Sequence, residues 1–197
     1  MSPNLYLTVA ERTLLESACV GIAGAGGLGS NCAALLVRAG VKRLVIADFD
    51  TVGESNLNRQ FFFLDQVGMK KVDALARNLR RINPEVALEL HNVRLDAESA
   101  VRIFSPCTHV VEALDGAAEK VMLYSALSSK PMAGASGIAG WGRSSAIGTR
   151  RIGGNLVLAG DMESAVSPDC APQSARVAIA AAIEANTILA MILGKDI

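Results

Sequence analysis

The chain has 197 residues, 51% of them hydrophobic and 4% aromatic, and its 19 basic and 19 acidic side chains cancel to a formal net charge of +0. That length suits a single domain spanning residues 1–197 with a core of Ala, Val, Leu and Ile, a composition that favours α/β layering over an all-β sandwich. The charge balance argues against a generally basic, nucleic-acid-binding surface, and four cysteines without a C-x-x-C pair (Cys19, Cys32, Cys107, Cys170) argue against a zinc site and a disulfide framework.

No signal-peptide pattern opens the chain, so the expected compartment is the cytoplasm. The most apolar stretch, residues 177–193, is interrupted by Glu184 and Asn186. It is too short and too polar for a membrane span and reads as a buried terminal helix, with a subunit interface as one use for it.

In chain order, a helix is expected over residues 8–17, an apolar strand over 18–23, a glycine-rich turn over 24–29 and a helix over 30–39. A strand at 43–47 leads to Asp48 and then to a long polar and aromatic crossover, 49–68, with no clear period. Helix 70–82, strand 86–91, helix 97–104 and strand 108–113 follow, with Asp115 just past the last. Helix 117–128 and a fifth parallel strand, 131–136, come next. Residues 137–160 change to short strands punctuated by Gly and Ser, expected to be antiparallel, and 161–174 read as a loop. The expected fold is α/β, Rossmann-like and doubly wound, with a mostly parallel sheet and antiparallel strands at its C-terminal side. Ligands of such sheets sit at the carboxyl ends of the strands, where the glycine turn, Asp48 and Asp115 fall.

Gly24-Ala25-Gly26-Gly27-Leu28-Gly29 matches G-x-G-x-x-G between a strand and a helix, with Gly24, Gly26, Gly27 and Gly29 as its glycines. The turn needs unusual backbone angles and close approach to phosphates, and the helix start offers free N–H groups to an anion. Asp48 ends the next strand, where a carboxylate can accept hydrogen bonds from ribose hydroxyls. The same fingerprint serves NAD enzymes. Two cations near the crossover, Arg59 and Lys71, suit a triphosphate better than a dinucleotide. Each also has a plainer reading, Lys71 as a solvated residue at a helix start and Arg59 as a surface ion pair with Asp50 or Asp65.

Together with Gly24 to Ser30, three further runs carry a resemblance: Asp48-Phe49-Asp50, Ser55-Asn56-Leu57-Asn58-Arg59-Gln60, and Gly68-Met69-Lys70-Lys71-Val72 before Asn83-Pro84. This pattern resembles the adenylation domain of the MoeB, ThiF and ubiquitin-activating family. Ser136-Gly137-Ile138-Ala139-Gly140 and the segment 175–186 look most like its short ThiF branch, which adenylates the sulfur-carrier protein ThiS. The resemblance implies that Gly27 lies against the nucleotide, Asp48 binds the ribose, Ser55 and Asn56 help hold the nucleotide, and Arg59 and Lys71 hold the phosphates. It also implies that Asp115 works with magnesium, although Gly116 stands where the family usually has Asn. ATP and Mg2+ are the implied cofactors, and no zinc is expected. The implied partners are a ThiS-like carrier with a C-terminal Gly-Gly and a second copy of the chain, with neither nucleic acid nor membrane among them.

The substrate carboxylate would already be ionised, so no general base is required. Arg59, Lys71 and magnesium at Asp115 would meet the charge that moves onto pyrophosphate. His91 and His109 read as structural, and Cys19, Cys32 and Cys107 as packing. Cys170, in the loop Ser167-Pro168-Asp169-Cys170-Ala171-Pro172, is a minor candidate for capturing the activated carrier. Arg12 precedes the glycine turn, but its surroundings do not match the arginine that relatives send into a partner's site. A molybdopterin-type carrier, another acyl substrate, an NAD-dependent oxidoreductase and a non-catalytic nucleotide-binding protein are the alternatives.

Overall fold

The computed structural model describes residues 6–197. The hydroxyl of Thr8 accepts the Glu11 N–H, and the Glu11 carboxylate accepts the Thr8 N–H in return. This reciprocal cap starts α1 (Val9–Ser17). β1 (Cys19–Ala23) is buried throughout and feeds α2 (Gly27–Ala39), which Gly40 ends at a φ of 115°. β2 (Arg43–Ala47) leads into the crossover, whose only regular pieces are 3-10 turns at Glu54–Asn56 and Leu64–Gln66. Then come α3 (Lys71–Ile82), β3 (Ala87–His91), α4 (Ala97–Ile103), β4 (His109–Glu112), α5 (Ala117–Ala126) and β5 (Met132–Ala135). β6 (Gly148–Ile152), β7 (Leu156–Gly160) and α6 (Ser174–Leu193) complete the described chain.

The seven strands form one sheet in the order β3-β2-β1-β4-β5-β7-β6. β1 pairs in parallel with β2 on one side and β4 on the other, so Ala23 stands level with both Ala47 and Glu112. The strand order reverses here, which opens the crevice where such sheets bind ligands. The residues that follow these three strand ends are Gly24, Asp48 and 113–115. The C-terminal side carries the expected antiparallel pairing, between β6 and β7. β7 runs parallel to β5, and among the described strands β6 alone runs the other way. The chain leaving β5 travels to the outer edge first and returns inward through a hairpin, which places its second strand in the parallel direction.

Alternation along the strands divides the core. Val20, Ile22 and Val111 face α2 and α6, while Val110 and Met132 pack with Phe104 and Leu123 of the α4/α5 side. The crossover is held to α3 by a buried amide pair. Gln66 Nε2 donates to Asn78 Oδ1 at 2.9 Å, and Asn78 Nδ2 donates to the Phe61 carbonyl at 2.8 Å.

α6 is long and apolar enough to cross a membrane by length and composition. In the fold it lies against α2 with Val177, Ala180, Ala181, Ala185 and Ile188 buried. Glu184 is buried on the same helix, 1% exposed, and neither carboxylate oxygen has a hydrogen-bond partner among the described residues. Burial pushes its pKa well above the usual carboxylate range; the Glu112 charge adds to this and Lys120 opposes it. The native state therefore keeps a proton that the unfolded chain releases above about pH 4.3. Stability should fall as pH rises from there toward the raised native value, by up to about 1.4 kcal/mol per pH unit. Glu184→Gln should remove that fall. Urea denaturation at about pH 5 and about pH 8 would show the variant gaining on the native protein at the higher pH, whereas parallel profiles would mean that Glu184 titrates as an ordinary carboxylate.

Candidate active site

The glycine turn is built by close approach. Gly24 has a φ of +98°, and a Cβ there would lie 2.5 Å from the Ala113 carbonyl oxygen at the neighbouring strand end. A Cβ on Gly29 would overlap the Gly24 carbonyl. Gly26 differs: a Cβ there would have room, making only an ordinary contact with the Gln60 amide at 3.9 Å. That space lies over the first turn of α2, where backbone N–H groups are unpaired and the helix dipole is positive. Gly24→Ala should destabilise the fold by about 2–3 kcal/mol, measured by urea denaturation. A loss below about 0.5 kcal/mol would show that the turn relaxes around a side chain.

Asp48 follows β2 and is 9% exposed. Its Oδ2 accepts the Ala25 N–H at 2.6 Å and its Oδ1 the Asp50 N–H at 2.8 Å. Asp48 thus ties the β2 end to the glycine turn, and each oxygen keeps a lone pair for a ligand hydroxyl. Lys71 is not the solvated residue of its plainer reading. It is 5% exposed, and its Nζ lies 2.7 Å from Asp50 Oδ2. A bridge between Thr51 and Lys70, with the Lys71 N–H donating to the Asp50 carbonyl at 2.9 Å, brings the two together. Two ammonium protons remain for another acceptor.

Arg59 pairs with neither Asp50 nor Asp65. Its guanidinium donates to the Ser55 carbonyl at 3.1 Å and to Asn58 Oδ1 at 2.8 Å. Its backbone is held to α2, because Asn31 Nδ2 donates to the Arg59 carbonyl and Phe61 N–H donates to the Ser30 hydroxyl, both at 2.9 Å. Ser55 and Asn56 sit in the first 3-10 turn, where Asn56 Oδ1 accepts the Gly53 N–H. They line neither of the two clefts described next.

Two clefts meet at residues 113–115. The first, about 180 Å³, runs from Gly24 and Gly26 past Asp48, Asp50 and Lys71 to Phe49 and the segment Val93-Arg94-Leu95. The second, about 470 Å³, is bounded by Gly27, Arg59, Lys120, Ala135, Ser136, Gly137 and the loop residues Ser164, Ala165 and Val166. Asp115 lines both and is exposed. Gly24, Gly26, Asp48, Lys71 and Asp115 therefore gather in the first cleft, and Gly27, Arg59 and Asp115 in the second. Gly29 serves the packing of the turn.

The donor set bears on magnesium. Among the described residues no group of three or more His, Cys, Asp or Glu side chains converges to hold a metal. Magnesium keeps several waters and is commonly held by one or two carboxylates plus substrate phosphates. An Asp115 carboxylate without a side-chain hydrogen bond among the described residues, in clefts that also reach the start of α2, fits an ion that arrives with a triphosphate.

Other candidates lie apart. Cys19 and Cys107 are buried with Sγ atoms 3.9 Å apart, Cys32 is buried, and half-buried Cys170 packs near Gly140 rather than in a cleft. His91 pairs with Glu89, and burial lowers the His109 pKa. Arg12 lies within α1 and lines neither cleft.

Several lining residues had no signal in the sequence. Arg94 lies over the Phe49 ring at 4.7 Å, in a loop without periodicity. Glu112 and Lys120 form an ion pair at 2.8 Å behind the Asp115 turn; their spacing of eight positions spans a strand end and a helix start and gives no pattern.

The chain's relatives agree with this architecture. The chain is 42% identical over 87 residues to ubiquitin-like modifier-activating enzyme 5 of Drosophila ananassae, covering 44% of this chain and 22% of that one. It is 44% identical over 85 residues to the enzyme of the same name from Oryza sativa subsp. japonica, covering 43% and 20%. It thus spans about a fifth of the length of the curated relatives it matches. Among solved structures, the tRNA N6-threonylcarbamoyladenosine dehydratase TcdA of E. coli, in complex with ATP, superimposes with a TM-score of 0.87 at 20% identity, over 98% of this chain and 92% of that one. E. coli MccB with ATP gives 0.72 at 21% identity, over 93% and 58%. The ThiF family model matches residues 5–197, and the chain belongs to the ThiF family.

Proposed function

We propose that the chain adenylates the C-terminal glycine carboxylate of a small ubiquitin-like sulfur carrier, using ATP and magnesium. The observation that carries this reading is the pair of clefts meeting at Asp115, one lined by the glycine turn, Asp48 and Lys71 and the other by Gly27, Arg59 and small residues. The relatives named above support it, two as modifier-activating enzymes and two as proteins solved with ATP.

In this reading Asp48 takes the ribose hydroxyls, the α2 start takes phosphate oxygens, and Lys71 adds a partly neutralised charge. The second cleft has small walls at Ala135, Gly137 and Ala165 that suit a glycine tail. Arg59, on the wall of the second cleft beside Gly27, holds the phosphates together with Lys71. A carboxylate oxygen then attacks the α-phosphorus, the bond from that phosphorus to the bridging oxygen breaks, and pyrophosphate leaves with the electron pair. The carboxylate is ionised at neutral pH, so no side chain need take a proton. Magnesium bound with the triphosphate and held by Asp115 would supply compensation for the phosphate charge. A ThiS-like carrier of thiamine biosynthesis and a homodimer complete the proposal.

ATP–pyrophosphate exchange with a panel of purified carriers ending in Gly-Gly tests it. Exchange that depends on one carrier names the substrate, and tight ATP binding without exchange on any of them sinks the adenylation reading for that panel.

A further inference from the structure

We propose that Glu112 is a positioning residue, which from inside the sheet fixes the turn that presents Asp115 to both clefts. Only the kinetic half of this inference rests on the adenylation reading. Glu112 ends β4 and is fully buried, 0% exposed. Its Oε1 accepts the Leu114 backbone N–H at 2.7 Å and Lys120 Nζ at 3.0 Å. Its Oε2 accepts Lys120 Nζ at 2.8 Å and the Tyr124 hydroxyl at 2.6 Å. Lys120 Nζ also donates to the Ala135 carbonyl at 3.3 Å, so the ammonium group is committed to this network although Lys120 borders the second cleft.

One carboxylate thus ties together the Leu114 turn, the first two turns of α5 and, through Lys120, the end of β5. These segments supply the common wall of the clefts and the floor of the second. β5 makes room for the network: a Cβ on Gly134 would lie 2.6 Å from the Tyr124 hydroxyl and 2.9 Å from Glu112 Oε2. Burying a charge is costly, and an apolar residue would satisfy the packing at the end of a central strand. What the carboxylate adds is an acceptor for the N–H immediately before Asp115. The Asp115 side chain has no hydrogen bond of its own among the described residues, so its direction depends on that backbone.

Glu112→Gln keeps the size but turns an amide NH2 toward Lys120 and Tyr124. Three readouts decide the matter. By amide hydrogen exchange, the Leu114 N–H should exchange about tenfold faster or more in the variant. In pyrophosphate exchange, kcat should fall about 10- to 100-fold while KM for ATP stays within about twofold. Added to Asp115→Ala, Glu112→Gln should cause no further loss, since it acts through that side chain. Tyr124→Phe removes a single donor and should shift Leu114 exchange the same way by less; it serves if Glu112→Gln does not fold. Equal losses from Glu112→Gln in the native and Asp115→Ala backgrounds would overturn the inference, as would faster Leu114 exchange with unchanged kcat. If the native protein shows no pyrophosphate exchange, the adenylation reading fails separately; unchanged Leu114 protection in Glu112→Gln would then overturn the positioning role on its own.

Discussion

Asp115→Ala is expected to lower ATP–pyrophosphate exchange by about 10²- to 10³-fold while leaving a nucleotide-binding site. The reason lies in the division of labour around the strand ends. The glycine turn, the α2 start and the Asp48 carboxylate hold their shape through backbone contacts that do not involve Asp115. Ribose and phosphate recognition should therefore survive, and the KM for ATP should rise by about tenfold or less. Asp115 is the one carboxylate that lines both clefts, and its side chain has no hydrogen bond or ion pair among the described residues. Its loss should fall on the step in which charge moves between the two substrates. A variant that exchanged pyrophosphate at near-native rates would remove Asp115 from the chemistry and leave the junction without an acid.

Arg176→Ala should cost about 3–5 kcal/mol of stability, because it strands a buried charge. The guanidinium donates to Asp161 Oδ2 and to the Gly142 carbonyl, each at 2.7 Å. The two paired side chains are 3% and 2% exposed. Asp161 also accepts the Glu163 and Ser164 N–H groups at 2.9 and 2.8 Å and the Ser164 hydroxyl. These bonds, Ser164's first and then those of Glu163 and Arg176, hold the Asp161 carboxyl well below the usual range. Its stabilisation is thus complete above about pH 4 and is lost only as pH falls through the depressed native value. The cluster pins the start of the loop whose Ser164, Ala165 and Val166 border the second cleft. Urea denaturation should show the loss, and carrier binding should weaken more than ATP binding. The double variant Asp161→Asn with Arg176→Met should recover most of the stability; if it does not, packing rather than the unpaired charge sets the cost.

The parts of the site visible in the sequence are those made by local chemistry. Gly24 and Gly29 are glycines because a backbone passes where a Cβ would be, and Asp48 follows its strand directly. Pairing across the crossover was not visible. Asp50 meets Lys71 through a single bridge at Thr51 and Lys70, for which an aperiodic stretch gives no register. The helix after the glycine turn was expected at residue 30 and begins at Gly27, because the last three residues of the motif already have helical geometry. That β7 pairs in parallel with β5 while running antiparallel to β6 depends on the order in which two strands reach the sheet, which alternation does not encode. Glu112 and Glu184 are acids within apolar segments. Only the fold shows that one meets Lys120, Tyr124 and a backbone N–H while the other has no hydrogen-bond partner among the described residues.

The strand order also governs when the site can exist. Residues 19–91 build a contiguous half-sheet in which β1, β2 and β3 pair with their sequence neighbours. The other edge of β1 waits for β4, where Val20 pairs with His109. Closing a loop of that length is slow compared with local pairing. A chain halted after β3 would contain the residues of the glycine turn, Asp48 and Lys71 while lacking Asp115, the Ala113 carbonyl against which Gly24 packs, and the second cleft. During refolding, partial nucleotide affinity should thus precede catalytic competence, and the interval between them would time the docking of β4 onto β1.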